Sequence, residues 1–236
     1  MNDRIEESGS EPVDALHNIK LQENQLQENH RSDDINEKPA WSNVLLTSAG
    51  FEDMDGKQKQ NIVRCFLNML GKSVKAARIL FIPTAAIYKE AREMVVKCRD
   101  ELLHMGILPE NIITYELDGS MPEDTAMSFD VIYFTGGDTN HLLRRIRETD
   151  FDTIVMRMVH ANKVYVGVSA GSLIATPNIG KPQDPSTAGF SLINAYLSVH
   201  CPENAESRKD LPFPHIALTD NQALAVTGSG YQLVEG

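Results

Sequence analysis

Lys163-Val164-Tyr165-Val166-Gly167-Val168-Ser169-Ala170-Gly171, KVYVGVSAG, decides the fold of this chain. Its first half is a short apolar run rich in β-branched residues, the pattern of a strand buried on both faces. Its second half sets Gly167 and Gly171 around Ser169 and fits G-x-S-x-G, in which a serine sits on a sharp turn between a strand and a helix. The glycines keep Cβ atoms out of the bend, and the turn lifts the hydroxyl above the sheet edge. The following helix, expected from Ser172 onward, points its N-terminus at that hydroxyl. A phosphate-binding turn is the other reading of so small-residue-rich a loop, but G-x-G-x-x-G and Walker spacings are both missing.

Outward from this stretch, short apolar runs alternate with helical periodicity. NVLLTSAG (43–50), RILFIPTAA (78–86), NIITYELD (111–118) and DVIYFTGG (130–137) read as further strands. Residues 57–70 carry Ile62, Val63, Phe66, Leu67 and Leu70 at helical spacing, with Gly71 as a stop. Helices are also expected over 88–105, 138–147 and 150–161. The alternation predicts an α/β fold, three layers with a mostly parallel central sheet covered on both faces. In such sheets ligands sit at the carboxyl ends of the strands. Three loops fall there: Thr84-Ala85-Ala86, Thr135-Gly136-Gly137-Asp138 and the serine turn.

The first 40 residues differ from the rest. They repeat a short polar unit (LQENQLQENH, 21–30) and contain no aromatic residue before Trp41. Such a segment cannot bury enough apolar surface to offset its ordering entropy, so residues 1–40 are expected to be an acidic, disordered tail. Ile19, Leu21 and Leu26 could form a short helix on a protein partner. Residues 41–236 are then the catalytic domain.

The net charge of −11 argues against nucleic-acid or anionic-membrane partners. No apolar run reaches the roughly 18 residues of a membrane span. Asp3, Glu6 and Glu7 at an N-terminus without an apolar segment do not read as a secretory signal. Cys65, Cys98 and Cys201 have no metal spacing and cannot all pair, so no metal or other cofactor is expected and a reducing, cytoplasmic setting fits.

A serine nucleophile needs a base. Downstream of Ser169 there are two histidines, His200 and His215, while His104, His141 and His160 fall inside expected helices. His200 ends the apolar segment SLINAYLSVH and would stand at a strand end near the sheet edge. His215 lies between Pro214 and an apolar pair, in an expected loop. His200 is the better candidate. An oxyanion hole needs two convergent backbone N–H groups. Ala170 follows the nucleophile, and Gly136-Gly137 can aim a second N–H from the neighbouring strand.

FIPTAA, YFTGGDTNHLL, VGVSAGS and the segment ending in His200, in that order, resemble peptidase family S51, the aspartyl dipeptidase and cyanophycinase group. The resemblance covers roughly residues 42–236. It implies a class I glutamine-amidotransferase-like fold, with Ser169 as nucleophile and His200 as base. For the third member it implies either Asp184, shortly after the serine turn, or Asp220 in LTDNQALAV, with Asp220 slightly favoured. It implies a serine peptidase acting on short peptides, including dipeptides that begin with aspartate, for which Arg208 is the candidate carboxylate anchor. The tract CPENAESRKD departs from the dipeptidase pattern, which bears on that preference. The oligomeric state is left open, a dimer included. Two other readings stand beside this one. The first is a serine esterase of the α/β-hydrolase fold, whose acid lies between serine and histidine, as Asp184 does. The second is a non-catalytic binding protein on the same scaffold. A glutamine amidotransferase proper would need cysteine at position 169.

Overall fold

The computed structural model describes residues 42–180, 184–228 and 230–236. The expected tail, residues 1–40, lies outside the described residues.

The central strands are β1 (Val44–Thr47), β2 (Ile79–Ile82), β3 (Ile112–Thr114), β4 (Val131–Phe134) and β5 (Val164–Val168). They run parallel in the order β3-β2-β4-β5-β1. On the β1 side the sheet is extended by β8 (Gln222–Thr227), antiparallel to β1, and by β9 (Gly230–Glu235), antiparallel to β8, giving seven strands. Strands β6 (Tyr196–Ser198) and β7 (His215–Ala217) form a separate parallel pair.

Alternate residues of the central strands feed two cores, one on each face, because strand side chains alternate with period 2. Leu45, Phe81, Tyr133 and Val166 pack with helices α1 (Gln60–Leu70) and α2 (Lys89–His104). Leu46, Ile82, Phe134 and Tyr165 pack with α3 (Glu123–Met127), α4 (Thr139–Glu148) and α5 (Phe151–His160) on the other face. Ile62, Val63, Phe66 and Leu70 are the buried stripe of α1, and Gly71 ends that helix with its N–H on the Leu67 carbonyl. Asp138 starts α4, its carboxylate accepting the His141 N–H at 2.7 Å. This is an α/β fold with a mostly parallel sheet between helical layers.

Two expectations change in detail. NIITYELD pairs over Ile112–Thr114 and then breaks off, with Leu117 at φ 54°. The helix after Ser169 is one turn, α6 (Ala170–Leu173). Among the described residues no helix is long and apolar enough to cross a membrane.

Candidate active site

Ser169 follows β5 with φ 48° and ψ −105°, a backbone conformation that non-glycine residues rarely adopt. The neighbouring packing enforces it. A Cβ on Gly167 would lie 2.5 Å from the Gly171 backbone, and one on Gly171 would lie 2.5 Å from the Phe134 carbonyl oxygen. Tight contact on both sides of the serine therefore requires G-x-S-x-G. The Ser169 N–H donates to Thr47 O (3.0 Å), and the Ser172 hydroxyl donates to Thr47 O (2.7 Å) and Gly167 O (2.8 Å). These bonds tie the turn to the end of β1.

His200 Nε2 lies 3.0 Å from Ser169 Oγ, and His200 Nδ1 lies 2.6 Å from Asp220 Oδ1. Because Asp220 accepts at Nδ1, the proton sits there and Nε2 is left to accept from the serine hydroxyl. The contacts run in chain order serine, histidine, aspartate. That differs from the α/β-hydrolase order, in which the acid precedes the histidine.

His200 stands just past a strand end, and that strand, β6, belongs to the small two-stranded sheet. The histidine is in the left-handed region at φ 57°. Ser48, at the end of β1, stabilises this bend. Its hydroxyl accepts the His200 N–H at 2.7 Å and donates to Asp220 Oδ1 at 2.9 Å. One buried hydroxyl thus holds the histidine backbone and the aspartate side chain together. Lys59, 5% exposed, spans the same region, its Nζ donating to Asp220 O at 2.6 Å and reaching the carbonyls of Ala49 and Gly50. Burial lowers the Lys59 ammonium's pKa, and nearby Glu101 opposes that shift. Partial burial pushes the Asp220 carboxyl up. The hydrogen bonds from His200 and Ser48, with the charges of His200 and Lys59, outweigh this and hold it below the usual carboxylate range.

Ser48 and Lys59 were not singled out in the sequence. The signal available was Ser48 in the small-residue loop closing β1, at the same carboxyl edge as Ser169.

Gly136 packs against the serine, since a Cβ there would sit 3.2 Å from Ser169 Cβ. Gly137 has φ 141°, and a Cβ there would lie 2.1 Å from Ala85 O. Among the described residues, the N–H groups of Gly136, Gly137 and Ala170 donate to no backbone carbonyl.

Three sequence candidates lie elsewhere. Asp184 caps a short 3-10 helix (Pro185–Thr187), its carboxylate accepting from the N–H and hydroxyl of Ser186. It is not the acid on His200. His215 opens β7, where Nε2 contacts Ser198 Oγ at 2.8 Å and Nδ1 accepts the Arg208 N–H at 3.1 Å. The Nε2 contact joins the two strands of the pair, and the Nδ1 contact holds the loop that carries Arg208. Arg208 is exposed and grips Asp210, at 2.8 and 3.2 Å. Its guanidinium has a partner two residues on, and it is not among the described residues that line the cleft at Ser169.

The cleft at Ser169 has a volume of about 320 Å³. It is lined by the buried Val168 and Cys98 with Gly136, and by the exposed Tyr88, Glu90 and Met94. Burial pushes the Cys98 thiol up to about 12, so it faces the cleft as a small neutral group.

The model of peptidase family S51 matches residues 44–234. An uncharacterized peptidase of Listeria monocytogenes is 35% identical over 130 residues, 54% of this chain and 60% of that protein. Peptidase E of Shewanella amazonensis is 31% identical over 127 residues, 51% of this chain and 52% of its own length. The chain thus spans about half to three-fifths of the length of these relatives. Among solved structures, a candidate peptidase E from Listeria monocytogenes EGD-e superposes with a TM-score of 0.63 at 21% identity, over 84% of this chain and 100% of that one. That likeness bears on the fold, which is class I glutamine-amidotransferase-like.

Proposed function

This chain belongs to peptidase family S51, and on that premise we propose that it is a serine-type peptidase of short peptides, working through an acyl-enzyme on Ser169. The observation that carries the reading is the continuous chain of contacts Ser169 Oγ–His200 Nε2 (3.0 Å) and His200 Nδ1–Asp220 Oδ1 (2.6 Å), with Ser169 and His200 lining a cleft. In this mechanism His200 removes the hydroxyl proton as Oγ attacks the scissile carbonyl carbon. The tetrahedral oxyanion is received by the N–H of Ala170 and one from Gly136 or Gly137. His200 then gives its proton to the leaving amine nitrogen, and the C–N bond breaks. Water, deprotonated by the same imidazole, attacks the ester and frees the serine. Asp220 keeps the imidazole in the productive tautomer and stabilises its cation.

The cleft volume of about 320 Å³ is at the small end of ligand clefts, which run about 300–1,000 Å³, and this supports a short substrate. The test is hydrolysis across a dipeptide library by the wild type and by Ser169→Ala. Turnover by the wild type and its loss in the variant is expected. Equal turnover by both would refute the reading.

A further inference from the structure

Among the described residues, those lining the cleft include a carboxylate, Glu90, but no lysine or arginine. Among the described residues Glu90 has no ion pair or hydrogen-bonding side-chain partner, whereas its neighbour Lys89 lies 3.8 Å from Glu93 across a helical turn. Beside Glu90 stand Tyr88, 47% exposed, and Met94, 40% exposed, which also line the cleft. An aromatic face, a flexible apolar side chain and an unpaired carboxylate together suit an ammonium or guanidinium group on an aliphatic stem. They are a poor setting for a second carboxylate, which would lose its hydration next to a like charge with no cation to compensate.

We infer that Glu90 sets specificity by receiving a cationic group of the bound peptide, so that the cleft selects against N-terminal aspartate. This rests on the cleft being the peptide site of the proposed peptidase. Two sources could supply the cation, a lysine or arginine side chain or the α-ammonium of the peptide itself. A purely local role for Glu90 also exists: it lies in the first turn of α2, where a carboxylate interacts favourably with the helix dipole. That role would change helix stability without changing which peptide binds.

The experiment is calorimetric titration of the Ser169→Ala protein with Lys-Leu, Ala-Leu, Asp-Leu and Nα-acetyl-Lys-Leu, repeated in a Glu90→Gln background. Glu93→Gln is the control, an acidic residue of the same helix outside the cleft. Lys-Leu should bind about fivefold tighter than Asp-Leu, the upper end for a solvent-accessible ion pair. Glu90→Gln should erase that ratio and Glu93→Gln should leave it. Retention of the preference by the acetylated peptide assigns the cation to the side chain. Its loss on acetylation, with Ala-Leu binding like Lys-Leu, assigns it to the α-ammonium. Equal or tighter binding of Asp-Leu, or a ratio unmoved by Glu90→Gln, overturns the inference. Wild-type hydrolysis of the same peptides separates the two readings. If Asp-Leu is cleaved best, the peptidase reading stands and the role of Glu90 falls. If none is cleaved but Glu90-dependent binding persists, the cation site stands and the peptidase reading falls.

Discussion

Ser48→Ala is the most informative substitution, because it removes a hydroxyl that touches neither the attacking oxygen nor the proton it loses. Two hydrogen bonds disappear, one to the Asp220 carboxylate (2.9 Å) and one from the His200 N–H (2.7 Å). A hydrogen bond to a charged group contributes about 1.5–3 kcal/mol, or about 10- to 150-fold at about 1.4 kcal/mol per factor of ten. The Asp220 side chain is 61% exposed, so water can replace the lost donor there, and the lower part of that range applies. The His200 N–H is less easily compensated, and His200 holds an unfavourable φ of 57° partly through it. The expected result is a fall in kcat/KM of about 10- to 30-fold, mostly in kcat, since the binding surfaces around Tyr88 and Met94 are untouched.

The pH profile adds a second readout. The Ser48 bond helps hold the Asp220 carboxyl low, so without it that group takes up its proton at a higher pH. The acid limb of activity should therefore move upward. The sign for stability agrees: a carboxyl lowered in the folded state contributes fully above its unfolded value, and the contribution is lost as pH falls through the folded one. Kinetics on the best library dipeptide, with circular dichroism to confirm folding, provide the assay. A kcat/KM within twofold of wild type and an unmoved acid limb would refute the positioning role.

Asp220→Asn should lower kcat on the order of a thousandfold while Asp184→Asn changes it only a few-fold, and parallel kinetics on the two variants decide between them. Gly137→Ala should destabilise the fold by roughly 1–3 kcal/mol in a denaturant melt, because its Cβ would lie 2.1 Å from Ala85 O at φ 141°; an unchanged melt would contradict the close approach. Arg208→Ala should affect acidic and neutral dipeptides equally, since its guanidinium already holds Asp210; a selective loss on aspartyl substrates would restore it as the anchor.

What could be read from the sequence follows the range over which each feature is encoded. KVYVGVSAG contains its own strand, turn and contacts within nine residues, so both the sheet and the position of Ser169 were legible there. The Gly136-Gly137 loop was legible for the same reason. The acid was not, because Asp184 and Asp220 are both loop carboxylates and only the crossing of β8 beside β1 brings Asp220 to His200. Ser48 lies 152 residues from His200 and 172 from Asp220, and no local pattern marks such a contact. The pairing of Arg208 with Asp210 was not legible either, because two residues of loop can fold into many geometries.

The central claim is that His200 activates Ser169. Labelling by a fluorophosphonate, followed by mass spectrometry of the modified peptide, tests it directly. One adduct is predicted, on Ser169, forming at least a hundredfold more slowly in a folded His200→Ala protein, on the order of the loss expected when a triad base is removed. An adduct on another residue, or His200→Ala labelling as fast as wild type, would contradict it.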